Sequence, residues 1–379
     1  MKYQISNIKY QIIFFGYILA SLFLLLFSYT QVDLNLTLSQ VGIWQGIQKA
    51  FQHVGYYQRP LATGVYVSVL LLLFTSYSIL LSEARKNRIG TTALWKLILI
   101  VTGILVFSYP AAFSYDFFNY LFTAKTVLVY RLNPYTVVPL QFAGIDPWTN
   151  FMRWTHLPSA YTPFWIVLSL LPYLLGLGYF ILVLFSMKFM IAGFYILACW
   201  ALVKTIDRVD VKRTSHALAF FALNPLILIE SLVSAHNDIV LIAFALLSVW
   251  MYLQKQYLSA WLYLAISVAA KFMTLFLVPV YVLKRGRGWM LGALLLGLTF
   301  VLIRREFLPW YWVWILPFVA LHMERVKLVR FATVVSLGLV LSYAPFLWFG
   351  EYSTLEQLWK TSIIWVSVGL GTIFYGFRI

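Results

Sequence analysis

The chain alternates long apolar runs with short polar loops. Eight runs predict membrane-spanning helices, at residues 10–29, 61–81, 96–113, 215–233, 289–303, 310–321, 331–349 and 358–375. Loop charges then orient them. Arg85, Lys86 and Arg88 form one basic cluster, and Lys204, Arg208, Lys212 and Arg213 a second. Lys284, Arg285 and Arg287 form the third, and Arg325, Lys327 and Arg330 the fourth. Positive-inside bias places all four in the cytoplasm. Counting from a cytoplasmic N-terminus then puts the loop 114–158 outside and residues 376–379 inside.

Two further apolar stretches, 159–203 and 238–283, disturb the count. Each has room for two helices, yet each joins an outer landmark to an inner one and must cross an odd number of times. Pro172, Gly176 and Gly178 interrupt the first, and Gln254, Lys255 and Gln256 the second, so both predict short, broken or re-entrant helices. Irregular backbone at membrane depth must be packed in protein or line a wet cavity. The parity therefore predicts a cavity within ten to twelve spans. The expected fold is all-α, a single transmembrane domain over 1–379 with no separate soluble domain, internal repeat or low-complexity tract. The external loop 114–158 is rich in Trp, Tyr and Phe, as suits headgroup level. Within it, 116–130 predicts a short surface helix ended by Asn133-Pro134, and Asp146-Pro147 and Leu157-Pro158 mark turns.

Composition sharpens this picture. Hydrophobic residues make up 62% of the 379, charged residues 11%, and mean hydropathy is +0.85, more apolar than a soluble domain could cover with polar surface. Any chemistry must be built from helix ends and loops. A nucleotide-binding α/β domain is excluded, and no glycine-rich phosphate loop precedes a helix. The formal charge of +16 is accounted for by cytoplasmic loops facing anionic headgroups, so nucleic acid is not an expected partner. Cys199, the single cysteine, lies in an apolar run and reads as packing. Lys2 and Lys9 precede a run long enough to span, which fits a retained helix better than a cleaved signal.

Acids are scarce, with 12 Asp and Glu in the whole chain, so one placed where a helix leaves the bilayer needs a reason. Asp116 is such a residue. On the expected outer face stand Asp116, Lys125, Arg131, His156, Glu230, His236, Asn237, Asp238, Lys271, Arg304 and Arg305. For a sugar carried on a lipid phosphate, cations would hold the leaving phosphate and a carboxylate would take the acceptor proton. Asp116 is the candidate base, and Lys125, Arg131, Lys271, Arg304 and Arg305 compete for the phosphate. A helix cap or a lysine partner is the plainer role for Asp116.

Helical spacing puts Glu230 and Asn237 on one face, and Ser234-Ala235-His236-Asn237-Asp238 follows; this group suits sugar hydroxyls, a water or a second acid, or serves only as a cap. No further His, Asp or Glu stands at ligand spacing, so no metal is expected. Lys271, flanked by apolar residues, either reaches an outward cavity or snorkels to the interface. Arg304-Arg305 precedes the aromatic run Trp310-Tyr311-Trp312, and an outward arginine pair runs against positive-inside bias. Trp154, Trp310 and Tyr311 could stack on a sugar, although aromatics are spread along the whole chain.

Taken together, these positions resemble a known family. Asp116 with Asn119-Tyr120, Asn133-Pro134-Tyr135, Tyr161-Thr162-Pro163, His236-Asn237-Asp238, Lys271 with Pro279, and Pro309-Trp310-Tyr311 resemble the GT-C superfamily of membrane glycosyltransferases. They look most like its bacterial polyprenyl-phosphate-mannose-dependent mannosyltransferases, over residues 109 to 317. Two spans precede the lead-in helix of Asp116, where many members have one helix before this loop, and the C-terminal soluble domain of some members has no counterpart here.

The resemblance implies inverting transfer of a hexose, mannose above all, from a polyprenyl phosphate to an acceptor hydroxyl at the extracytoplasmic face of a prokaryotic plasma membrane. It implies Asp116 as base; Arg131, Lys271, Arg304 and Arg305 on the phosphate; and Asn119, Tyr120, Lys125, Tyr161, Glu230, His236, Asn237, Asp238, Trp310 and Tyr311 on substrate. No cofactor is implied, and the partners are the lipid-linked donor, a glycan, glycolipid or protein acceptor, and the bilayer. A transporter or flippase is the main rival, but paired broken helices in two repeated halves are not seen. A polymerase or ligase of cell-surface glycans is the second.

Overall fold

Proline and glycine cut the apolar runs into unequal pieces, and those cuts determine where the site forms. The computed structural model describes residues 2–376, which hold helices and no strand; of the expected inner segment 376–379, residues 377–379 lie outside them. Helices α1 (Lys2–Tyr29) and α3 (Arg59–Arg85) pack together, joined at one end by the amphipathic α2 (Gly42–Gln52) and the π turn His53–Tyr57. Gly55 in that turn lies so close to the Thr30 carbonyl that a Cβ would stand 1.8 Å from its oxygen. Only glycine fits there.

Helix α4 (Thr91–Leu105) stops well short of the run predicted for it, because Pro110 has no N–H to continue the ladder and a 3-10 turn follows, Pro110–Ala112. The segment expected to be external then forms α5 (Asp116–Leu128). It is not the surface helix expected: Phe117, Phe118, Tyr120, Leu121 and Phe122 are all buried, packed against α6 (Pro163–Leu175) and α7 (Phe180–Asp210). Its apolar residues run all round the helix, which requires burial on every face.

The two stretches that disturbed the parity are broken, as expected. Leu177 and Gly178 take positive φ between α6 and α7, and Lys255 does so between α10 (Asp238–Leu253) and α11 (Tyr257–Ala270). Lys271 is fully extended, at φ −163 and ψ 137, before the 3-10 segment Phe272–Leu277 and α12 (Val278–Val282). The run predicted at 215–233 is also cut. Asn224 caps a new start at Pro225, giving α8 (Thr214–Ala222) and the short α9 (Pro225–Leu228), which widens into a π turn, Ile229–Val233. After α13 (Arg287–Leu302), the run at 310–321 becomes two single turns, α14 (Pro309–Trp312) and α15 (Leu316–Ala320), each with a proline in its first two positions. Helices α16 (Val326–Leu341), α17 (Ala344–Phe349) and α18 (Thr354–Gly376) complete the chain.

Among the described residues four helices are long and apolar enough to cross a membrane: Gln11–Tyr29, Arg59–Arg85, Phe180–Ala222 and Val326–Phe349. Pro225–Val233 and Asp238–Leu253, bent by 116°, add a fifth if they form one broken span. Five shorter apolar helices accompany these among the described residues. The chain is thus an integral membrane protein, and these helices do not confirm the expected count of ten to twelve spans. Three of the four basic clusters are linked at one end. Arg208 donates to Gln254 at 3.2 Å, Tyr252 to the Arg285 carbonyl at 3.1 Å, and Arg287 to Glu324 at 2.9 Å. At the other end of α7, Phe180 meets Phe118 of α5 with ring centroids 6.2 Å apart.

Candidate active site

Two helix ends meet where the broken span reverses. The chain turns from the π turn through Ser234–Asn237, and α10 begins at Asp238. Ala235 takes φ +52, the left-handed conformation usual just past a helix C-terminus, at about 1–2 kcal/mol for a residue with a Cβ. The His236 N–H closes the turn on the Glu230 carbonyl at 2.8 Å. The carbonyls of Leu232 and Val233 are fastened from outside the span: Lys188 of α7 donates to both, to Val233 at 2.9 Å, and to Ser108 Oγ at 3.0 Å.

Three acceptors surround the Lys188 nitrogen at the negative end of a helix, so its N–H donors tie that end down without an acid. Sequence reasoning missed Lys188, although a lysine within an apolar helix is itself a signal. Lys188→Met leaves two buried carbonyls without donors and should cost about 2–4 kcal/mol, read as a lower melting temperature of the detergent-solubilised protein.

The side chains on either side of the reversal converge. His236 Nδ1 stands 3.9 Å from Asp116 Oδ2 and His236 Nε2 3.4 Å from Glu230 Oε2. Tyr343 donates to Glu230 Oε1 at 2.9 Å, and Trp310 stacks on the imidazole with centroids 4.4 Å apart. Asp238 Oδ1 accepts from Lys271 at 2.7 Å and from Trp314 Nε1 at 2.5 Å. Lys271 also lies 5.5 Å from the Trp314 ring centroid. Its extended backbone at a helix break lets a side chain from α11 reach α10. The Asn237 N–H points to the Tyr120 hydroxyl at 3.5 Å, and Tyr120 packs edge-on to Tyr161 at 4.8 Å, with Asn119 beside Tyr161. Tyr311 stacks on Trp314 at 4.6 Å, and Arg305 lies near it.

Asp116 is the first residue of α5, where the helix dipole favours its anion. Burial outweighs that. Desolvation, reinforced by Asp238 and opposed by Lys271 and a hydrogen bond from Trp154, pushes the carboxyl up to about 6. With its side chain 28% exposed, Asp116 combines contact with solvent and a proton affinity matched to neutral pH, the pairing a general base requires.

Other expected contributors lie elsewhere. Lys125 is committed to Asp146 at 2.6 Å and sits over the Trp148 ring at 4.1 Å, with Tyr130 on the same carboxylate. Its charge is neutralised in a packed pair. Arg131 is exposed at φ +54 beyond the far end of α5, about 20 Å of helix from Asp116 at 1.5 Å per residue. Arg304 lies over Phe300 at 5.9 Å, while Glu306 pairs with Lys360 at 2.8 Å. Glu230 is wholly buried and faces side chains. Of the cations expected at the site, Lys271 is in it and Arg305 borders it through Tyr311. Tyr343 and Trp314 had no sequence signal, being two aromatics among many, and Trp154, expected only as a ring for stacking on a sugar, stands beside Asp116. Among the described residues no group of three or more His, Cys, Asp or Glu is placed to hold a metal.

Neither a curated protein nor a solved structure matches the chain. A family model does, over residues 18–287, a segment that contains Asp116, Lys188, Glu230, His236, Asp238 and Lys271. That family is described as alpha-(1->6)-mannopyranosyltransferase, N-terminal domain; the match covers well over half of the sequence, and the chain belongs to this MptA_B family of mannosyltransferases.

Proposed function

We propose that the protein transfers mannose from a polyprenyl phosphate to an acceptor hydroxyl at the extracytoplasmic face, with inversion, and that Asp116 is the base. The observation that carries this reading is the convergence of Asp116, His236, Asp238 and Lys271 at the reversal of a broken span. That end of the molecule lies away from the linked basic clusters, which positive-inside bias assigns to the cytoplasm. The family description supports the primary 6-hydroxyl of a mannoside as acceptor.

In the reaction the acceptor oxygen bonds the anomeric carbon, its proton passes to Asp116, and the carbon–oxygen bond to phosphate breaks with its electron pair left on the phosphate. Lys271 uses one of its three N–H donors on Asp238 and has two for the leaving phosphate. Arg305, near Tyr311, is the second cation. Asn119, Tyr120 and Tyr161 line the acceptor side. No separate soluble domain is needed, because every group comes from helix ends within the one transmembrane body.

The test is transfer of radiolabelled mannose from a synthetic polyprenyl-phosphate mannose to octyl α-mannoside in membranes carrying the protein. Movement of the intact lipid without transfer would instead identify a flippase, and transfer of a preassembled glycan chain a polymerase or ligase. A pH dependence follows from Asp116. The base works ionised, so kcat/KM should be constant above pH 7 and fall about tenfold per unit below about 6. A profile flat to pH 5 would remove Asp116 from that role.

A further inference from the structure

Glu230 is an acid that the reaction above does not use. It is wholly buried, and among the described residues no lysine or arginine pairs with it. An ionised carboxylate so placed carries a desolvation cost of several kcal/mol. The groups facing it are Tyr343 from the start of α17, Tyr66 from α3, His236 across the reversal, and Asp116 and Asp238 farther off. Its Oε1 accepts from Tyr343. Its Oε2 and His236 Nε2 face each other at 3.4 Å, and neither has another hydrogen-bond partner. One proton between them satisfies both atoms.

Resting on the reading of Asp116 as base, we propose that Glu230 is a positioning residue: as a neutral carboxylic acid it donates to His236 Nε2, which keeps the imidazole proton on Nδ1 and presents that N–H to Asp116 Oδ2. The opposite arrangement fails on contacts. If Glu230 were ionised and accepted from Nε2–H, a neutral His236 would turn a bare Nδ1 lone pair toward the Asp116 carboxylate. The ring is held for the first arrangement by Trp310 on its face, and its backbone by the turn that Lys188 fastens. The distance of 3.9 Å from Nδ1 to Asp116 closes with a small side-chain rotation, as catalytic hydrogen bonds do when substrate binds. Oriented through Oδ2, Asp116 then offers Oδ1 to the acceptor hydroxyl. An imidazolium held between two ionised carboxylates is the competing state, and a substitution separates the two.

Glutamine at 230 is neutral, donates from its amide nitrogen and accepts at its carbonyl, so it copies the protonated acid and cannot copy the carboxylate. In the mannosyl-transfer assay with the full-length protein, Glu230→Gln should keep at least a tenth of wild-type kcat, with the acidic limb of kcat/KM unmoved. Glu230→Leu, which cannot fix the tautomer, should fall about 100-fold, in line with the large losses when a catalytic histidine is left in the wrong tautomer. A Gln variant as impaired as the Leu variant, or one whose acidic limb shifts by more than about half a unit, overturns the proposal and favours the imidazolium. If Leu prevents folding, the Gln variant and its pH profile decide alone. Asp116→Asn in the same assay separates the two readings: an active Asn variant removes the base, whereas an inactive one beside an inactive Gln variant removes only the role of Glu230.

Discussion

Asp116→Asn should lower kcat by about 10³-fold while leaving the KM for the lipid donor within about threefold, because proton abstraction is lost and donor contacts are kept. Asparagine preserves the size of the side chain and its place at the start of α5, so the melting temperature should not fall. A small rise is expected, since an ionised acid held at about 6 by burial is being replaced with a neutral amide. Steady-state mannosyl transfer and a thermal melt on the same preparation check both halves. An Asn variant with near-normal kcat would leave the site without its base, and a parallel collapse in melting temperature would make Asp116 structural.

The second large effect concerns the pair at 2.7 Å between Lys271 and Asp238. Asp238 is 1% exposed on its side chain and Lys271 32%, so the two partners are not equivalent. Lys271→Met leaves a buried carboxylate with only the Trp314 indole N–H, and breaking such a pair on one side costs about 3–5 kcal/mol. It also removes the cation assigned to the phosphate, for about 10²–10³-fold in kcat/KM. Adding Asp238→Asn to that variant removes the stranded charge. The double variant should recover most of the melting temperature and none of the activity. Recovery of transfer together with stability would show that Lys271 serves the fold alone and that the phosphate is held by Arg305.

How far the sequence foretold this arrangement depends on what made each residue conspicuous. Asp116, His236, Asp238 and Lys271 were legible because a charge beside hydrocarbon is rare and costly, and the structure brings all four together. The breaks flanking α7 and α10 were legible from glycine, proline and the polar triplet at 254–256. Lys125 was equally conspicuous as a charge but misleading, since its partner Asp146 is 21 positions away in a loop and only folding shows the pair closed. Helix α5 was misjudged because aromatic residues suit a headgroup region and a packed interior alike. Burial of Phe117, Phe118 and Tyr120 depends on α6 and α7 folding over them, a long-range fact that composition does not contain. The breaks within the runs at 215–233 and 310–321 escaped hydropathy for a similar reason, since it averages across a turn with proline near its start as if the axis continued.

The anchoring of the reversal to α7 has a mechanical consequence. Asp238 and His236 are fastened through Lys188, and Asp116 rides on α5, whose Phe118 rests against Phe180 at the start of the same helix. Both halves of the site therefore share one strut. When bilayer thickness changes and a long helix leans to match it, these groups should swing together, so that lipid composition governs how easily a substrate slides in sideways while the spacing between the reacting side chains stays constant.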